Sequence, residues 1–141
     1  MSLILTEHIM LKGYHMCNLD DTYGDWRIGG ENYFLDLKQI IPYLDTETKH
    51  LIKFDDISWK GKNIYHELDP LRYERCDIKY PCILTKGENP HNCTYRMIDG
   101  RHRITKMVNL GLNEAYFYLI DFQDVVKLLH LDQPPKNIKY A

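Results

Sequence analysis

The sequence lacks a long uninterrupted apolar run. A helix needs about 18 consecutive apolar residues to cross a bilayer, and no stretch of the 141 residues meets that requirement. Apolar residues are frequent near the N-terminus, but Glu7 and His8 interrupt them and no small-residue cleavage site follows, so we expect no signal peptide. We therefore expect a soluble protein with no membrane partner.

The sequence also lacks an excess of positive charge. Its 18 Lys and Arg residues are balanced by 20 Asp and Glu residues, which gives a formal net charge of -2. Dedicated nucleic-acid binders usually present a strongly basic surface. The balance leaves room for a local basic patch, but it makes nucleic acid a partner that is possible and not favoured.

Paired cysteines are missing as well. The four cysteines are Cys17, Cys76, Cys82 and Cys93. Their irregular spacing includes no C-x-x-C pair, and in a chain without a secretion signal it indicates reduced thiols and a cytoplasmic location. His15 and His91 each lie two residues before a cysteine, but this spacing is not typical of zinc ligands, so we expect no metal site.

What the sequence does contain is the composition of one globular domain. Hydrophobic residues make up 44% and charged residues 27% of the chain, close to the average for folded domains. A length of 141 residues matches one hydrophobic core. We find no internal repeat or low-complexity tract, and we expect a single domain over residues 1–141, either as a monomer or as a homo-oligomer.

The first half of the chain has few clear secondary-structure signals. Residues 15–32 are rich in Gly and Asp, and we interpret them as a loop. Residues 35–44 have helical apolar spacing, with Asp36 near the start and Pro42 placed where it should kink or shorten the helix. Residues 50–59 are ambiguous between a short helix and a strand.

The second half alternates strands and helices. Residues 80–85 and 94–98 are predicted strands that a turn-rich connection joins as a hairpin. Apolar spacing at Ile104, Met107 and Val108 predicts a helix over residues 101–110, which Gly111 ends. The nearly continuous apolar run at 115–120 predicts a central strand covered on both faces.

These elements predict an α/β (α+β) fold, in which helices pack on a small mixed β-sheet. We expect the helix at 101–110 to join its flanking strands by a right-handed crossover. Residues 122–131 read as a further amphipathic helix that Pro134 and Pro135 end.

The loop at residues 99–103 carries the clearest functional signal. Asp99 is a good helix N-cap, and Gly100 permits a sharp turn. Arg101, His102 and Arg103 then place positive charge in the first helical turn, where the helix dipole is already positive. This choice is locally unfavourable unless an anion binds there, so it predicts a phosphate site. Alternatively, Asp99 pairs with Arg101 or Arg103 and the cluster is a solvated helix end.

The same residues resemble a known family. YRMIDGRHRI at residues 95–104, followed by Gly111 and a strand from Ala115, is similar to the signature segment of the ParB/sulfiredoxin-like superfamily. LDPLRY at residues 68–73 and YPCIL at residues 80–84 resemble the opening turn and first strand of that family. The resemblance implies a ParB/sulfiredoxin-like core at residues 68–141 and an N-terminal extension at residues 1–67 that is integrated with it.

The resemblance implies that the Gly-x-His-Arg loop holds nucleotide phosphates. Members include sulfinic acid reductases, nucleotide-hydrolysing partition proteins and kinases of free serine. Arg101 stands where sulfiredoxins have their reactive cysteine, and only about twenty residues follow residue 121, too few for the DNA-binding domain of partition proteins. The loop is closest to the serine-kinase type, for which Glu67, Asp69 or Glu74 is a candidate carboxylate base.

Three functional hypotheses remain open at this point. The leading one is binding of a nucleotide or phosphorylated small molecule by residues 99–103, with ATP, ADP or CTP and Mg²⁺ as cofactors and phosphotransfer or nucleotide hydrolysis as the reaction. In it His102, Glu67 and Asp69 are the candidate catalytic residues. The second is a nuclease-like or DNA-associated module with a basic groove, whose members would be Arg72, Arg75, Lys79 and Lys106. The third is a non-catalytic ligand-sensing or assembly module.

Overall fold

The structure is a computed structural model that describes residues 9–11, 14–16, 23–59, 68–86 and 93–130. The strands are β1 (Ile9–Leu11), β2 (Tyr14–Met16), β3 (Tyr23–Ile28), β4 (Glu31–Asp36), β5 (His50–Lys53), β6 (Ile57–Ser58), β7 (Cys82–Lys86), β8 (Tyr95–Asp99) and β9 (Glu114–Ile120). The α-helices are α1 (Leu37–Ile40), α2 (Pro70–Arg75), α3 (Arg101–Asn109) and α4 (Phe122–Lys127). The fold is α+β, as predicted.

A five-stranded mixed sheet organises the molecule. Its strand order is β5-β9-β7-β8-β6, with β7 antiparallel to β8 and parallel to β9. The predicted hairpin of β7 and β8 and the interior position of β9 are therefore confirmed. The predicted right-handed crossover is wrong, because β7 lies between β8 and β9 and makes them antiparallel, whereas the handedness rule applies to parallel strands.

The interior strand β9 is covered on both faces only in its second half. Phe117, Tyr118 and Ile120 are buried, but Tyr116 is 55% exposed. Tyr116 pairs with Leu51 of the edge strand β5, which is also exposed. The apolar run at 115–120 therefore predicted more burial than the first half of the strand has.

A β-hairpin replaces most of the loop predicted at residues 15–32. Strands β3 and β4 pair along six residues each and are joined by Gly29 and Gly30, which both have positive φ. Two positive φ values are the requirement of the tight hairpin turn that matches strand twist. The prediction of a loop was wrong because Gly29 and Gly30, which form a two-residue hairpin turn, were interpreted as part of a loop-like composition.

The helix predicted at residues 35–44 is shorter than expected. Strand β4 continues through Leu35, and α1 starts after Asp36, whose carboxylate accepts from the backbone N–H of Lys38 at 3.1 Å. The chain tightens into a 3₁₀ turn that contains Pro42. Asp36 as the helix start and the shortening by Pro42 are confirmed, whereas a start at residue 35 is wrong. The ambiguous segment that follows contains β5, a 3₁₀ turn and β6.

Of the two later helices, α3 ends where predicted and α4 ends earlier than predicted. Gly111 ends α3 with φ 89°, and the N–H of Leu112 reaches back to the carbonyl of Met107 at 3.0 Å, a common glycine-based helix stop. Helix α4 ends at Lys127, before the predicted residue 131, because the chain turns there to pair His130 with Phe34 of β4. Pro134 and Pro135 lie outside the described residues.

The hydrophobic core has two parts, one on each face of the five-stranded sheet. Successive residues of a strand point to opposite faces, so Ile83 packs with the hairpin residue Trp26 and with α1 and α4, whereas its neighbours Cys82 and Leu84 pack with α3. Ile104 and Met107 fill the second core as predicted, although Val108 is 43% exposed. This packing fixes α3 across one face of the sheet.

Candidate functional site

Helix α3 begins directly after strand β8, at Gly100. This residue is the N-cap, and its carbonyl accepts the first helical hydrogen bond from the N–H of Ile104 at 2.9 Å. Among the residues that the structure describes, no side chain caps the first turn, which also contains no acidic residue. The prediction of Asp99 as N-cap is therefore wrong. The first N–H groups of α3 are left without the acceptor that a capping side chain would supply.

Gly100 is required by the packing of the loop. Its φ is 126°, and a Cβ atom at this position would lie 2.3 Å from Sγ of Cys82 in β7. Any larger residue would therefore be strained and would also collide with the neighbouring strand. The glycine is explained by this close approach, so it does not by itself indicate a ligand.

Asp99 belongs instead to a buried polar network. Its Oδ2 accepts from Nη2 of Arg103 at 3.0 Å and from the hydroxyl of Tyr14 in β2, which also accepts from Nη2 of Arg103. Nη1 of Arg103 donates to the carbonyls of Tyr80 and Pro81, each at 3.2 Å. Asp99 therefore pairs with Arg103, as the alternative interpretation of the loop held, but the pair is not solvated, since Arg103 is only 3% exposed.

The network gives Arg103 a structural role. Its guanidinium contacts β2, the segment before β7 and the end of β8, and so joins β2 to the five-stranded sheet. Burial raises the pKa of Tyr14 well above its usual value, and the charge of Arg103 opposes that rise. Tyr14 is fully buried and therefore stays protonated near neutral pH.

His102 points away from this network, towards α2. Its Nε2 accepts from the backbone N–H of Asp69 at 3.1 Å, and the residue is 8% exposed. Burial lowers the pKa of His102 to about 4, and the charges of Arg72 and Arg101 contribute to the shift. The imidazole is therefore neutral at pH 7, and because Nε2 is the acceptor its proton resides on Nδ1.

The charges of Arg72 and Arg101 both act on His102. Burial lowers the pKa of Arg101, and the positive charge of Arg72 adds to the effect. The Nε atom of Arg72 is buried and has no hydrogen-bond acceptor among the described residues. The positive charges of Arg72 and Arg101 therefore interact unfavourably at the uncapped start of α3.

Asp69 is positioned by the short helix α2. It is the N-cap of that helix, and its Oδ1 accepts from the N–H groups of Leu71 and Arg72 at 3.0 and 3.3 Å. The carboxylate also raises the pKa of His102, although the larger opposing effects dominate. Asp69 thus contributes its N–H to His102 and its carboxylate to the start of α2.

The polar face of α3 holds the other end of α2. Nζ of Lys106 donates to the carbonyls of Tyr73, Glu74 and Cys76 at 3.3, 3.1 and 3.2 Å. Asn109 donates to the hydroxyl of Tyr73 at 2.8 Å. A cation at the C-terminal carbonyls of a helix is favourable. Lys106 is therefore part of the contact between α2 and α3.

The structure divides the predicted site residues into two groups. Arg101, His102 and Asp69 lie together where α2 meets α3, whereas Asp99 and Arg103 belong to the buried network with Tyr14. Glu74 is exposed and contacts Lys106 through its carbonyl. Glu67 lies outside the described residues.

Sequence reasoning missed the roles of two residues. Arg72 was assigned only to a basic groove, although an N-capping Asp69 followed by Pro70 marks the helix that carries it towards α3. Tyr14 gave no usable signal, because it is separated from Asp99 by 85 residues.

A metal site finds no support in the described residues. Within them, no three His, Cys, Asp or Glu side chains are grouped so that they could hold an ion. Cys17 and His91, from the weak zinc pattern, lie outside that part of the chain. Mg²⁺ therefore stays a prediction from the sequence, and no chemical step is assigned to a metal.

Comparisons with known proteins returned no match: no family model fits the chain, and the curated proteins and solved structures searched contain none similar to it. Within the described residues, no helix is long and apolar enough to span a membrane.

Proposed function

We propose that the protein binds a phosphorylated small molecule or nucleotide at the first turn of α3, with Arg72 and Arg101 as its anion-binding side chains. The observation that carries the proposal is the pair of guanidinium groups beside an uncapped helix start. Asp69 is the carboxylate that lies with them, and its Oδ1 already accepts two backbone hydrogen bonds.

The physical argument is electrostatic. Helix N-termini attract anions because their N–H groups lack partners and the helix dipole is positive there, an effect of about 0.3–1 kcal/mol at exposed sites. Charge-assisted hydrogen bonds from arginine to phosphate add to this attraction. An anion between Arg72 and Arg101 would also offset their mutual repulsion.

The resemblance to the ParB/sulfiredoxin-like superfamily supports the same site. It implies phosphate binding by a Gly-x-His-Arg loop, and here that loop is Gly100, Arg101, His102 and Arg103. In our proposal Arg101 binds the ligand, whereas Arg103 stabilises the loop through its buried hydrogen bonds. ATP, ADP and CTP are the nucleotides to test first. A cytosolic location belongs to the proposal and is supported by the absence of a disulfide among the described Cys76, Cys82 and Cys93.

For phosphotransfer or nucleotide hydrolysis, Asp69 is the candidate base. Among the described residues it is the nominated carboxylate that lies beside His102. His102 acts as a positioning residue in this proposal, because its Nε2 is occupied by the N–H of Asp69 and a pKa of about 4 keeps the ring neutral. If the reaction is absent, the same two arginines serve a non-catalytic ligand-sensing module.

The nuclease-like alternative receives less support from the geometry. Of the four residues proposed for a basic groove, Lys106 has its ammonium against three backbone carbonyls. Lys79 lies 3.7 Å from the carboxylate of Asp77 and over the ring of Tyr80. Neither amine is directed to a backbone phosphate in this arrangement.

Isothermal titration calorimetry with pyrophosphate, ATP, ADP and CTP tests the proposal, with and without Mg²⁺. We expect saturable binding of at least one of these anions to the wild type and a loss of about tenfold or more in affinity for Arg72→Gln and for Arg101→Gln. Arg75→Gln is the matched control, because Arg75 lies in the same helix and is exposed. It should bind as the wild type does.

Three outcomes would count against the proposal. No binding of any anion would contradict it, and so would equal losses in the control and the two test variants. Binding of a short DNA duplex that depends on Arg75 as strongly as on Arg72 would favour the nuclease-like alternative instead.

A further inference from the structure

Helix α2 rests on the protein through polar contacts. None of its own residues, Pro70–Arg75, is buried. Its N-terminal end is held by the hydrogen bond from Asp69 to His102, and its C-terminal end by Lys106 and Asn109. The side chains of His102, Lys106 and Asn109 all belong to α3. The helix thus lies over His102 with little apolar area to secure it.

We propose that α2 is a detachable cover over His102, which opens as a unit while α3 and the five-stranded sheet stay folded. Hydrophobic burial is the main favourable term in folding, and regions with few buried apolar contacts are the ones that open locally at low free energy. The opening itself is independent of the ligand, whereas its consequence, the separation of the anion-binding Arg72 from Arg101, rests on the proposed function.

The opened helix should not persist in water. Isolated helices shorter than about 12 residues are marginal, and α2 has 6. Two backbone hydrogen bonds report on it: Tyr73 N–H to the carbonyl of Asp69 at 2.9 Å, and Cys76 N–H to the carbonyl of Arg72 at 3.0 Å. Both amides become open to exchange when α2 detaches.

The charges around His102 favour opening in acid. Arg72 from α2 and Arg101 from α3 oppose a charge on the ring, while Asp69 before α2 and Asp99 at the end of β8 favour it. A protonated imidazole cannot accept from the N–H of Asp69. Since the pKa of His102 is about 4, the docked state should weaken as the pH falls towards that value.

Amide hydrogen exchange followed by NMR on the full chain tests the cover. In the wild type at pH 7, we expect the amides of Tyr73 and Cys76 to be at least about tenfold less protected than those of β7 and β9. In Lys106→Met their protection should fall by about a further tenfold, while the amide of Ile104 in α3 is unchanged. Lys127→Met, which removes an exposed lysine of α4, is the control and should leave all these amides as they are.

The wild-type measurement alone decides the matter if Lys106→Met does not fold. Equal protection of the α2 amides and the sheet amides would overturn the proposal, because α2 would then open only with the whole protein. A fall in protection of the sheet in Lys106→Met to the same extent as α2 would also overturn it. Calorimetry with pyrophosphate, ATP, ADP and CTP is separate: absence of binding of all four would refute the proposed function and leave the exchange result on the cover unaffected.

Discussion

Replacing Arg103 with methionine tests whether this arginine supports the loop or binds the ligand. The substitution keeps the long aliphatic part of the side chain and removes the guanidinium. It would leave the carboxylate of Asp99, the hydroxyl of Tyr14 and the carbonyls of Tyr80 and Pro81 without their shared donor. Removing one partner of a buried ion pair costs about 3–5 kcal/mol because the other charge stays buried.

Asp99 can recover part of that loss. Its side chain is 22% exposed in the ion pair and still accepts from Tyr14, so water can reach the carboxylate once the guanidinium is gone. We therefore expect a decrease in the free energy of unfolding at the lower end of this range, about 3 kcal/mol. For a domain of ordinary stability, about 5–15 kcal/mol, the variant still folds, but with a clearly lower denaturation midpoint.

Arg101→Met is the matched control for Arg103→Met. Arg72 disfavours the charge of Arg101, so removing that charge should lower the free energy of unfolding by less than Arg103→Met does. The assay is urea denaturation followed by circular dichroism at pH 7, together with calorimetry on both variants. Wild-type stability in Arg103→Met combined with lost anion binding would refute our assignment of Arg103 to the structural network.

Two further predictions concern the same loop. Gly100→Ala should lower the free energy of unfolding by about 3 kcal/mol or more, because positive φ and a clash with Cys82 act together. The control is Gly111→Ala, where φ is 89° but nothing lies within 4 Å, and it should lower the free energy of unfolding by only about 1–2 kcal/mol. Equal decreases in urea denaturation would contradict the clash. The pKa of His102 is about 4 against an ordinary value of 6.5, so the unfolded chain binds more protons between these values. Stability should be nearly full above pH 6.5 and fall by about 3 kcal/mol down to pH 4. The measurement is the free energy of unfolding of the wild type and of His102→Gln across this pH range. A difference between the two proteins that does not vary with pH would contradict the expected loss of stability in acid.

The parts of the fold that could be predicted are those with local causes. The hairpin of β7 and β8, the apolar spacing of Ile104 and Met107 in α3 and the stop at Gly111 all follow from residues near one another in the chain. The order of strands in the sheet does not. The insertion of β7 between β8 and β9, which reverses the expected relation of those two strands, depends on pairing across 35 residues or more, as between Thr85 and Ile120.

The failed N-cap prediction has a physical cause of the same kind. Asp99 has the chemistry of a cap, and nothing near it in sequence argues otherwise. Tyr14 and Arg103 compete for its carboxylate in a buried setting, where a hydrogen bond to a charged group is worth more than the bond to a solvated helix N–H. The competing residue Tyr14 is remote in sequence, so local reasoning assigned the carboxylate to the wrong donor.

The positive charges of the first turn of α3 therefore have two different explanations. Arg103 is accounted for by protein groups alone: a carboxylate, a phenol and two carbonyls surround it. Arg101 instead interacts with Arg72 of α2, which carries a second positive charge where an acidic residue would have been favourable. A protein whose only need was to start a helix would gain from an acidic residue at either position. The unfavourable interaction between Arg72 and Arg101 is thus the feature that a bound anion would offset. In our proposal, Arg72 and Arg101, rather than Arg103, are the residues on which ligand binding should depend.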